Sequence, residues 1–77
     1  MEIDLELDAL GLLCPLPVLK IAKRMQGLAV GGVLRVETDD PAAVIDIPHF
    51  CNEKGHELVS VTEETYPRHS FVIRKSV

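Results

Sequence analysis

The chain has no tryptophan, one tyrosine and two phenylalanines. Sheet-based RNA readers stack bases on exposed aromatic rings, and Phe50, Tyr66 and Phe71 are too scattered to form such a pair. A basic excess is also missing. The net charge is −4, which argues against a general nucleic-acid binder and predicts no direct nucleic-acid partner. Cysteine is scarce: Cys14 and Cys51 could close at most one disulfide, too few for a secreted disulfide framework. The two are not spaced as C-x-x-C, so a dithiol redox protein is disfavoured. No apolar run approaches the roughly 20 residues that span a bilayer. The opening "MEIDLELD" is acidic and alternating, whereas a signal peptide has a basic start and an unbroken apolar core. These absences predict a soluble, cytoplasmic protein with reduced thiols and no membrane partner.

What is present fits one domain, residues 1–77, with a modest core. We expect a monomer. Ile3, Leu5 and Leu7 alternate with Glu2, Asp4, Glu6 and Asp8, the period of a strand with one buried face. Val18, Ile21, Ala22 and Met25 follow the spacing of one helix face, which Gly27 ends. Gly31 and Gly32 turn into the strand "VLRVET", with Leu34 and Val36 facing one way. In "DDPAAVIDIPHFCNEKG", Asp39 or Asp40 can cap a second helix and Pro41 suits its first turn. Ala43, Ile47, Phe50 and Cys51 fall near one face, Gly55 ends the segment, and Pro48 predicts a break within it. "ELVSVTEE" and "SFVIRK" read as two strands joined by a hairpin around Tyr66, Pro67 and Arg68. The order β-α-β-α-β-β, with right-handed crossovers, predicts an α/β (α+β) two-layer sandwich. Its mixed four-stranded sheet carries both helices on one face.

The chemistry concentrates in "GLLCPLPVLK", residues 11–20. Cys14 follows the first strand and opens the first helix, and Pro15 and Pro17 suit a first turn whose N–H groups lack intrahelical partners. Free N–H groups and the helix dipole favour an anion there, so the position predicts an activated thiolate. Asp39 and Asp40, at the same end of the sheet, oppose that effect. The competing expectation is a small buried cysteine, since "LLCPLPVL" is apolar enough to be core.

"LDALGLLCPLPVLK", "ETDDPAAVIDIPHFC", "GHEL" and "FVIRK" together resemble the TusA/SirA family of sulfur-carrier proteins over nearly the whole chain. The resemblance implies the same β-α-β-α-β-β sandwich and no bound cofactor. It implies that Cys14 carries a persulfide, with Gly11, Pro15 and Pro17 as supporting motif residues. Sulfur would come from a donor such as a cysteine desulfurase and pass to an acceptor protein, for tRNA thiolation, molybdenum-cofactor formation or other sulfur metabolism. Such a carrier is usually grouped with sulfurtransferases rather than turnover enzymes. Leu13 and Leu16 stand where members closest to the tRNA-thiolation carrier often have charged or polar residues, which makes the rim of this motif apolar.

The remaining candidates rank lower. Cys51 is about ten residues into the second helix, roughly 15 Å along its axis. A disulfide needs Cα atoms within roughly 7 Å, so Cys51 reads as a core residue. Neither cysteine forms a short zinc pattern with His49, His56 or His69, so no metal is expected. Lys20, Lys23 and Arg24 are expected on the solvent side of the first helix, beside Cys14, as a docking face for an acidic partner, alongside Leu13 and Leu16. The alternative function is a regulatory or protein/RNA-interaction module without sulfur transfer.

Overall fold

The computed structural model describes residues 2–77. Alternating apolar residues build the first strand, β1 (Leu5–Ala9), whose Leu7 and Ala9 are buried while Glu6 and Asp8 face solvent. The strand lies two residues later than the alternation from Ile3 suggests. Asp4 explains the shift: its N–H donates to Val33 O at 2.9 Å, and its Oδ2 accepts the Val33 N–H at 2.9 Å. The side chain thus takes a donor that a longer ladder would use.

Helix α1 (Leu16–Met25) follows, then β2 (Val33–Thr38), α2 (Ala43–Lys54), β3 (Glu57–Glu63) and β4 (His69–Arg74). The sheet order is β1-β2-β4-β3. β1 and β2 are parallel, as the crossover predicts, and β4 runs antiparallel to both β2 and β3. The last strand therefore enters the middle of the sheet rather than extending its edge. On the two central strands Leu34, Val36, Phe71 and Ile73 are fully buried. On the opposite face Arg35 pairs with Glu6 at 3.1 Å, and Arg68 with Glu37 at 2.7 Å. That face is charged. Phe71 points away from it, into the helix layer beside Val36.

The apolar stripe of α1 divides. Pro17, Ile21 and Met25 are buried against the sheet, while Val18 and Ala22 are only partly covered. Helix α2 buries Ala43, Ile47, Phe50 and Cys51, the face its spacing predicts. Two expectations about α2 are corrected. Pro48 does not break it; α2 is one 12-residue helix with the proline inside. The bond lost is the one to the carbonyl of Val44, an exposed residue at which water can serve the freed oxygen. The helix also starts later than an aspartate cap would set it: Ala42 holds the cap position and Pro41 lies outside, while Asp40 serves the helix start by accepting the Ala42 N–H at 3.1 Å. Gly55 ends α2 at φ 80°, and the N–H groups of Gly55 and His56 both reach Cys51 O. Only glycine takes that backbone conformation without strain.

Two isoleucines test this packing. Ile47 is fully buried and Ile45 is 74% exposed on the same helix. Ile47→Ala should cost about 2–5 kcal/mol in denaturant melts, a large share of a small domain's stability. Ile45→Ala should stay within about 0.5 kcal/mol.

Candidate functional site

Cys14 lies in the turn ahead of α1, not in the helix. Pro15 holds the cap position and Pro17 the first turn, and the Leu16 N–H closes the turn onto Leu13 O at 2.8 Å. The turn is pinned from outside by the two aspartates after β2. Asp40 Oδ2 accepts the Cys14 N–H at 2.6 Å, and its Oδ1 accepts the Ala42 N–H at 3.1 Å. Asp39 Oδ1 accepts the Gly11 N–H at 2.9 Å, and Gly11 turns the chain at φ 79°. Asp40 is 7% exposed. A buried carboxylate holding two backbone donors fixes both segments to one geometry.

The Cys14 side chain is exposed, and it stands at the mouth of a cleft of about 470 Å³ between the two helices. The α1 wall is Pro15, Val18, Leu19 and Ala22, without a charge. The α2 wall has Phe50 at its base and Asp46, His49, Glu53 and Lys54 along it. His49 and Glu53 pair with each other at 3.1 Å. Leu13, Leu16 and Leu19 are exposed on the turn and first turns of α1, and Val44 and Ile45 on the start of α2. Leu13 and Leu16 flank the thiol along the chain, while its nearest charged neighbours, Asp46 and Asp40, are acidic.

The thiol's electrostatics run opposite to the helix-start expectation. Its pKa is raised, first by hydrogen bonding to the Asp46 carboxylate, then by lost hydration and by the negative charges of Asp46 and Asp40. The physical reason lies in the turn. The backbone N–H that could steady a thiolate is already given to Asp40, and the nearest charges are negative.

The sequence candidates separate in space. Gly11, Leu13, Cys14, Pro15, Leu16 and Pro17 share the pinned turn and the helix start. The basic residues do not join them at the cleft. Lys20 Nζ donates to Asp8 O at 2.7 Å, toward β1. Lys23 and Arg24 sit in the last turn of α1, beside Asp4 and Leu28. That turn is about 10 Å along the axis from the helix start. Their solvent exposure follows from the helical spacing, but proximity to Cys14 does not.

Cys51 is 2% exposed, and burial pushes its thiol up to about 11. Both cysteines are free. His56 precedes β3, packs 6.0 Å from Phe50, and accepts the Ser76 N–H at 3.3 Å on Nδ1. His69 Nδ1 lies 3.0 Å from Pro67 O in the hairpin. Asp46 and the half-covered Val18 and Ala22 were not singled out as site residues by the sequence. The available signal was an acid six residues after Asp40, one helical turn beyond Ala42.

Known proteins resemble this chain in sequence and in fold. The family profile described as Sulfurtransferase TusA matches residues 5–75. The sulfur carrier protein TusA of Pseudomonas syringae pv. syringae (strain B728a) is 45% identical over 64 residues, 83% of this chain and 76% of that protein. The sulfur carrier protein TusA of Pseudomonas entomophila (strain L48) is 51% identical over 61 residues, 79% of this chain and 76% of that protein. A crystal structure of a SirA-like protein from Desulfitobacterium hafniense superposes with a TM-score of 0.82. It is 24% identical and covers 95% of this chain and 99% of its own, a likeness of fold. With the family profile spanning all six elements and curated relatives near half-identical, the chain belongs to the TusA family.

Proposed function

We propose that this protein is a sulfur carrier that bears sulfane sulfur as a persulfide on Cys14. One observation carries the reading: of two free thiols, only Cys14 is accessible, and its turn is pinned at the mouth of an apolar cleft. The relatives' name, sulfur carrier protein TusA, supports it.

The chemistry is sulfur exchange. The Cys14 sulfur, as thiolate, attacks the outer sulfur of a donor persulfide, such as that of a cysteine desulfurase. A new S–S bond forms on Cys14, the donor's S–S bond breaks, and the donor sulfur leaves as thiolate. In delivery an acceptor protein's thiolate attacks the outer sulfur, and Cys14 leaves in turn. One S–S bond replaces another at each step, so no external oxidant, metal or cofactor is required. Gly11, Pro15 and Pro17 hold the turn, and Leu13 and Leu16 with Leu19 offer docking contacts. Apolar contact of modest area suits a carrier that must release each partner. Lys20, Lys23 and Arg24 remain a second docking candidate, one that sets encounter rate at longer range.

Intact mass after incubation with a cysteine desulfurase and cysteine tests the assignment. The wild type should gain sulfur, Cys14→Ser should gain none, and Cys51→Ala should load normally. Sulfur retained by Cys14→Ser removes the mechanism. A wild type that never loads returns the protein to the interaction-module reading.

Loading kinetics separate the two docking surfaces. Leu13→Ser with Leu16→Ser should slow loading at every salt concentration, whereas Lys20→Glu with Lys23→Glu should act mainly at low salt, where long-range steering operates. A leucine pair that loads at the wild-type rate excludes the rim.

A further inference from the structure

The charged groups around the thiol come almost wholly from one side. Helix α2 brings Asp46, His49, Glu53 and Lys54 to the cleft, the link before it holds Asp40 on the Cys14 N–H, and the α1 wall brings no charge. His49 and Glu53 engage each other. Lys54 is in the last turn of α2, eight residues beyond Asp46 and so roughly 12 Å along the axis. A short relay fixes Asp46 relative to Cys14. Asp40 holds the N–H groups of Cys14 and Ala42, and the Asp46 N–H donates to Ala42 O at 2.9 Å. Asp46 therefore stands one helical turn above the anchor that fixes the cysteine backbone, and its side chain lines the same cleft as Cys14.

We propose that Asp46 is a positioning residue that holds the proton on the Cys14 sulfur, keeping the empty carrier a slow nucleophile until a docking partner engages the carboxylate. The inference rests on the reading of Cys14 as the sulfur-bearing residue. The direction of the thiol's shift agrees with it, since its first cause is the Asp46 hydrogen bond. Removing the proton sets a thiolate against a carboxylate in the same cleft, and like charges so placed favour the protonated thiol. Such restraint has a use in a carrier. A standing thiolate on an exposed turn is open to oxidation and alkylation between partners. A partner that binds Asp46 through a cation or hydrogen-bond donor lifts the restraint at the moment of transfer.

The test is the pH dependence of iodoacetamide alkylation, followed at the Cys14 peptide by mass spectrometry. In Asp46→Asn and in Asp46→Ser the midpoint should move to lower pH, with a several-fold faster rate at neutral pH. The serine variant covers the case in which an asparagine amide still engages the sulfur. Glu53→Gln should superimpose on the wild type. An unmoved or higher midpoint in both Asp46 variants overturns the proposal, and so does an equal shift in Glu53→Gln. Should the Asp46 variants fail to fold by circular dichroism, the wild type decides alone. Its folded midpoint must lie above that of the same chain in urea, and one at or below it overturns the proposal. Iodoacetamide needs no sulfur donor. A chain that shows the shift but never loads loses the carrier reading and keeps the restraint.

Discussion

The arrangement of the site hangs on one carboxylate with both oxygens committed. Asp40 joins the Cys14 N–H at 2.6 Å to the Ala42 N–H at 3.1 Å, and so ties the turn before α1 to the start of α2. The tie explains why two helices from different crossovers meet with a cleft between them and a thiol at its mouth. It also fixes the electrostatic sign of the site. A donor that could steady an anion is spent on structure, and the group that takes it is itself negative. Removing a partner from such a bond leaves a buried charge or donor unpaired, so the turn and the carboxylate depend on each other.

Most of the fold was legible because the signals were local and strong. Alternation in "EIDLELD", the gap of glycines before "VLRVET" and the hairpin at Tyr66-Pro67 each mark an element at nearly its observed place. The two-layer sandwich follows from element order and crossover hand. The errors share a cause. Residue type at a helix start speaks only of that residue's own helix, and Asp39 and Asp40 act beyond theirs. In the folded chain Asp39 reaches Gly11 and Asp40 reaches Cys14, 28 and 26 residues away. Capping preferences describe short-range bonding, and here a long-range acceptor took the donors first. Pro48 is the reverse case. Packing of Ile47, Phe50 and Cys51 on the sheet outweighs one lost hydrogen bond, so a local breaker did not break.

The site was legible in part for the same reason. The position of Cys14 in its motif distinguished it from Cys51, and burial accounts for the difference between the two thiols. Its surroundings were not legible, because helical spacing on α1 places residues around a helix but not against a second one. Val18 and Ala22 lie on the same stripe as Ile21 and Met25, yet they border the cleft rather than the sheet. Only the meeting of α1 with α2 makes that distinction. Lys20, Lys23 and Arg24 show the converse. They lie on the polar side as spacing requires, but Lys20 turns toward β1, and position along the axis separates Lys23 and Arg24 from the thiol.

A thiol near acids and leucines suits a carrier better than the activated thiolate suggested by a helix start. An enzyme that turns over small substrates gains from a permanently ionised cysteine. A carrier meets its substrates only as proteins, and every reaction outside those encounters wastes the site. The apolar rim of Leu13, Leu16 and Leu19 can be dehydrated by a docking partner, which strengthens each remaining electrostatic contact in the cleft. Asp46 and Asp40 then weigh more against a thiolate, unless the partner supplies a compensating cation or hydrogen-bond donor. Burial by an ill-matched protein therefore makes the thiol less reactive, and burial by a matched one makes it more so. Specificity in this arrangement resides in the charge of the partner at the moment of contact, over a scaffold whose geometry is already set by Asp40.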